Sequence, residues 1–154
     1  MILVDSSALI EFYRPAGSQA VRSAVAEAVE EDLVAVNGII HVEVVAFAPT
    51  KASFLKLDSD FRVFHWLELQ EPEFDCAAEL GFLLRRKAIT VPSTDLIIAA
   101  SAIRANLILY HADSHYDLIA QHCGLKSRNL RPKPKETGPV TLDRPAKPSF
   151  SRIQ

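Results

Sequence analysis

Short apolar runs punctuate this chain, and they constrain its fold more than any other feature. Besides Leu125–Leu130, a mostly polar candidate for a last strand, the runs Met1–Val4, Leu33–Val36, Val63–Leu69 and Leu107–Tyr110 recur between stretches of helical spacing. Each is too short for a stable helix and dense enough in apolar residues to be buried on both faces. Strands of that kind, separated by helices, predict an α/β fold in three layers. Its centre is a mostly parallel sheet of four to five strands, flanked by helices.

The intervening segments read as helices. Ser6–Tyr13 is stopped by Pro15, and Ser18–Glu31 places Val21, Val25, Ala28 and Val29 on one stripe. Gly38–Phe47 is apolar almost all round and reads as a buried helix ending before Pro49. Ala52–Phe61 and Glu73–Lys87 follow, the latter with Pro72 suited to the N1 position. A helix from Pro92–Ser93 to about Ala105 takes Ser93 as its cap, and Tyr116–Cys123 is a short one.

With 154 residues, the chain reads as one domain with room for a sizeable core. Its net charge of −2 hides an asymmetry. Residues 1–125 hold 17 acids against 9 bases, whereas 126–154 hold 2 acids, 8 bases and five of the nine prolines. We therefore divide the chain into a folded body, 1–130, and a basic, Pro-rich extension, 131–154. No apolar stretch has the length of a membrane span, and no signal peptide is recognisable. Cys76 and Cys123 lack metal-ligand spacing and read as reduced thiols of a cytoplasmic protein.

Four carboxylates sit where a carboxylate is locally awkward. Asp5 ends Ile2-Leu3-Val4, Glu43 interrupts Ile39–Phe47, Asp95 opens Leu96-Ile97-Ile98, and Asp113 follows Leu107–Ala112. Singly, Asp5, Asp95 and Asp113 also suit helix N-termini as caps or first-turn anions. Glu43 suits no cap, so it is the strongest candidate from local physics. In parallel sheets ligands sit outside the carboxyl ends of the strands, where these residues would converge. A shared hard cation, Mg²⁺ or Mn²⁺, accounts for all four at once. One or two such ions activate water and stabilise the leaving oxygen of a phosphodiester.

The segments Ile2-Leu3-Val4-Asp5-Ser6-Ser7-Ala8-Leu9, His41-Val42-Glu43-Val44, Pro92-Ser93-Thr94-Asp95-Leu96-Ile97-Ile98-Ala99-Ala100 and Leu109–Ala120 resemble PIN-domain ribonucleases. Within that family they are most similar to VapC-type toxins of toxin–antitoxin pairs, and the resemblance spans residues 2–125. It implies a PIN-like fold and a Mg²⁺- or Mn²⁺-dependent endoribonuclease. It also implies an RNA substrate, a homodimer and a cognate antitoxin. Asp5, Glu43, Asp95 and Asp113 match the family's metal-binding acids, and Ser7 matches a supporting hydroxyl. The pattern departs at Asp113-Ser114-His115-Tyr116, where His115 replaces a second Asp that a Phe follows in many members. His115 is therefore a supporting candidate, and the number of ions, one or two, stays open. Asp117, four residues beyond Asp113 on the same side of a short helix, is a further supporting candidate, with a solvated surface acid as the alternative. Arg14, Arg85 and Arg86 are candidates for phosphate contacts at the groove mouth.

The chief alternative is a catalytically weakened PIN-like module that binds RNA or a partner, motivated by His115. A phosphatase or receiver domain fits less well. Asp5-Ser6-Ser7 lacks the nearby second Asp of the former, and no Lys follows a late strand as in the latter. With five glycines there is no phosphate-cradling loop.

Overall fold

The computed structural model describes residues 1–132. Most of the expected basic extension, from residue 133 onward, lies outside the described residues. Five strands, β1 (Ile2–Val4), β2 (Val34–Val36), β3 (His65–Trp66), β4 (Ile108–His111) and β5 (Ser127–Asn129), form one sheet in the order β3-β2-β1-β4-β5. All pairings are parallel. Seven helices connect and flank them: α1 (Ser6–Tyr13), α2 (Gln19–Glu30), α3 (Gly38–Val45), α4 (Lys51–Phe61), α5 (Glu71–Arg85), α6 (Ser93–Arg104) and α7 (Ser114–Ala120). The strand order reverses between β1 and β4, and this switch point opens the crevice in which a parallel sheet binds ligands.

The central strands are buried on both faces, as their continuous apolar runs require: Leu3, Val4, Val36 and Leu109 are fully enclosed. From above and below, Leu9 of α1, Val21 and Val25 of α2, Ile40 of α3, Ile98 of α6 and Ile119 of α7 complete the core.

Several expectations need correcting. The run Val63–Leu69 pairs only at His65–Trp66, because β3 is an edge strand and Val63 lies in solvent. The helix at Gly38–Phe47 is not buried all round. It ends at Val45, with Val42 and Phe47 exposed, Phe47 at 82%. Ser93 is not the cap of α6: it is the first helical residue, Pro92 holds the cap position, and no side chain caps the helix. At α5 the start is one residue earlier than expected in pattern: Glu71 is the first helical residue, Pro72 the second, and Gln70 and Glu73 form a reciprocal capping box. The last helix starts at Ser114, with Asp113 as its cap, and ends at Ala120.

Three helix ends share one device. Asp32, Ala88 and Asn106 follow α2, α5 and α6 with φ of 54°, 58° and 53°. The next N–H then bonds back across the turn, Leu33 to Ala28, Ile89 to Leu84 and Leu107 to Ala102. This left-handed closure satisfies helix-end carbonyls and turns the chain sharply, into β2 after α2 and into β4 after α6. The usual glycine marker is missing at all three.

Candidate active site

Asp5 stands at the carboxyl end of β1 and is 2% exposed. A buried carboxylate is costly unless donors surround it, and here they do. Its Oδ2 accepts the Ser7 backbone N–H at 2.8 Å and the Ser7 hydroxyl at 2.5 Å. Its Oδ1 accepts the Tyr116 hydroxyl at 2.7 Å. Ser7 Oγ in turn accepts the Ala112 N–H at 2.9 Å, which ties the end of β1 to the end of β4. Asp5 thus caps α1 and also belongs to a buried network across the switch point.

Asp95, Asp113 and His115 form the second part. One ligand atom from each can be chosen so that all lie within 4.8 Å of one another. His115 Nδ1 is 2.8 Å from Asp95 Oδ2 and 3.5 Å from Asp113 Oδ1. Asp113 Oδ1 also accepts the His115 N–H at 2.9 Å, the cap of α7. Burial, joined by the Asp5 and Asp113 charges, pushes the Asp95 carboxyl up to about 6 against the pull of the His115 hydrogen bond. Like charges held this close form a group that could hold a cation. An oxygen-rich donor set with one imidazole fits a hard divalent ion better than zinc.

Glu43 reaches the crevice from the second turn of α3. Its Oε2 accepts the Ser6 hydroxyl at 2.7 Å, and Glu43 lines one end of a groove of about 600 Å³ between α1, α3 and α4. Arg14, Tyr13, Lys56 and Phe47 share that groove. Glu43, unlike Asp5, is only half-buried.

The other candidates are placed unevenly. Arg14 lines the Glu43 groove and pairs with Glu11 at 3.5 Å. Arg85 lines a smaller cavity with Thr90, Ser93 and Leu96, at the start of the helix that carries Asp95. Arg86 instead lies over the Phe82 ring at 5.5 Å, on the outer face of α5. Asp117 accepts from Asn129 at 2.7 Å and stands 3.8 Å from His111 Nε2, so it ties α7 to β5. Asp113 is the cap outside α7, and Asp117 turns toward β5.

Three supporting residues escaped the sequence reading. Asn37 is fully buried, caps α3 by accepting from Ile39 and Ile40 at 3.1 Å, and donates to Ser101 Oγ at 3.1 Å. It thus joins the helix of Glu43 to the helix of Asp95. An Asn between a strand and a helix start was the available signal. Tyr116 looked like one more apolar residue of a short helix, and Ser101 like an interruption in a run of alanines. Neither carries a local mark of its partner.

This parallel α/β domain with acids gathered outside β1 and β4 fits the PIN-like fold that the sequence resemblance implies. Comparison with known proteins narrows this. The chain is 32% identical over 136 residues to ribonuclease VapC11 of Mycobacterium tuberculosis, covering 85% of this chain and 100% of that protein. It matches VapC ribonuclease Mb1587 of Mycobacterium bovis to the same extent. The chain belongs to the VapC ribonuclease family. No family model matches it. The fold is shared with FitAcB of Neisseria gonorrhoeae, at TM-score 0.69 and 21% identity over 84% of this chain and 98% of that one. VapBC2 of Rickettsia felis, solved bound to a promoter DNA fragment, gives 0.67 and 18% over the same shares.

Proposed function

We propose that this protein is a divalent-cation-dependent endoribonuclease, the toxin of a toxin–antitoxin pair. The observation that carries the reading is the convergence of Asp95, Asp113 and His115 beside Asp5 at the switch point, in a chain of the VapC ribonuclease family. Asp95, Asp113 and His115 would hold Mg²⁺ or Mn²⁺, with Asp5 completing the set. When bound, the ion supplies Lewis-acid polarisation of a phosphodiester and a hydroxide at neutral pH. The protein's own residues orient and neutralise. Ser7 fixes the Asp5 carboxylate, and Ser6 fixes Glu43 at the groove end. Arg14 and Lys56 in that groove, and Arg85 beside Ser93, offer cations to RNA phosphates on a body that is otherwise acidic.

The same groove, with Phe47, Ile10 and Val44 in its wall, suits an apolar segment of an antitoxin. Exposed Phe74, Phe82 and Leu83 on α5 support a homodimer through that helix. No helix among the described residues is long and apolar enough to cross a membrane. The two free cysteines fit the cytoplasm.

The test is cleavage of RNA by the antitoxin-free chain with Mg²⁺ or Mn²⁺. Activity that survives both EDTA and Asp5→Asn overturns the metal mechanism. The presence of an imidazole where an acid is expected favours one competing reading, a module that binds RNA without cutting it. Metal-dependent RNA binding with no cleavage under either ion decides for that module.

A further inference from the structure

We propose that Tyr116 is a positioning residue for the metal site, because its hydroxyl selects which lone pair of Asp5 faces the crevice. The inference rests on the metal-site reading above and concerns a residue that reading does not need.

An ionised carboxylate offers about four lone-pair directions. On Asp5, Oδ2 takes two donors, the Ser7 N–H and the Ser7 hydroxyl. Oδ1 takes one, the Tyr116 hydroxyl. Three directions are filled, and the single one left belongs to Oδ1. Ser7 alone would fix one oxygen and leave the other free to bind in either direction. The Tyr116 hydroxyl removes that freedom and leaves one productive direction. Donors behind a ligating carboxylate orient it in this way, and their loss typically weakens metal binding by about 10–100-fold.

The side chain is held in place at both of its ends. Tyr116 is 1% exposed, so its polar end needs a partner, and Asp5 is that partner. Its ring packs on His111 at 5.1 Å, which holds the side chain still. Tyr116 also follows His115 directly in the first turn of α7. One turn of helix thus brings an imidazole to Asp95 and Asp113 and a phenol to Asp5.

A purely structural tyrosine would lose packing or a buried hydrogen bond when changed, without a specific effect on the ion. Tyr116→Phe keeps the ring and removes only the hydroxyl. We expect the Mn²⁺ dissociation constant of the full chain, by calorimetry, to rise about 10–100-fold. At saturating Mn²⁺, kcat should return to within a few-fold of the parent with KM for RNA unchanged. An Mn²⁺ constant within twofold of the parent, while Asp5→Asn abolishes Mn²⁺ binding, overturns the positioning role and leaves the metal site standing. Parental Mn²⁺ binding in Asp5→Asn overturns the metal reading and this inference with it. A second measurement needs no substitution at 116. The chain has three tyrosines, so 3-fluorotyrosine labelling gives three ¹⁹F resonances. That of Tyr116 should shift on adding Mg²⁺, and an unmoved resonance at saturating Mg²⁺ overturns the proposal.

Discussion

The two halves of the acid cluster are built on opposite terms. Asp5 is the more deeply buried, yet three donors meet it and its charge is accommodated. Asp95 is less deeply buried, yet it has one imidazole and two neighbouring carboxylates, and its carboxyl is pushed up to about 6. Depth alone therefore does not decide the cost of a charge; the count of donors against like charges does. One half is met by donors, and the other is left crowded by like charges.

The largest effect should break the two halves together. Asp5→Asn or Asp95→Asn should each lower RNA cleavage by about 10³-fold, a rise of about 4 kcal/mol in the barrier, measured as kcat/KM with saturating Mg²⁺. The variants should then part company in stability. Without metal, Asp95→Asn relieves a crowded charge and should stabilise the fold, whereas Asp5→Asn puts an amide N–H₂ or O against donors arranged for an anion and should destabilise it. Opposite shifts in thermal midpoint would sharpen the comparison, and shifts of one sign would break it.

Removing the strut between the halves comes next. Asn37→Ala leaves the Ile39 and Ile40 N–H groups uncapped and Ser101 without its donor, and should cost about 2 kcal/mol by urea denaturation.

The pH dependence isolates Asp95. Its folded-state value of about 6 lies above the ordinary 3.8, so between those values the folded protein binds more protons than the unfolded chain. Metal-free stability should therefore fall as pH rises from about 4 to about 6, by on the order of 2 kcal/mol, and the cost then stays in place above 6. In Asp95→Asn this part of the slope should vanish. Saturating Mg²⁺ should offset the cost at neutral pH.

The smallest effect serves as a control outside both halves. Ala88 holds a left-handed φ of 58° after α5. Ala88→Gly should raise stability by about 1 kcal/mol and leave Mn²⁺ affinity unchanged.

Much of this protein was legible in its residues. Strand–helix alternation gave the parallel sheet, and Asp5 and Asp113 were legible as acids after strands and Asp95 as an acid at a helix start. The illegible parts have a common cause. Asn37 and Ser101 are 64 positions apart and meet only because α3 and α6 pack together. Tyr116 and Asp5 are 111 apart and meet only because β4 lies beside β1. The edge strand shrank to two residues because an apolar run without a second neighbour has only one ladder to join.

Local sequence thus determined which segments bury themselves, where strands end and which acids follow them, because burial and capping are read within a few residues. The tertiary structure alone decided which of those acids is satisfied by donors and which is left crowded. Donors arrive from distant elements, and the field at a carboxylate depends on every charge packed around it.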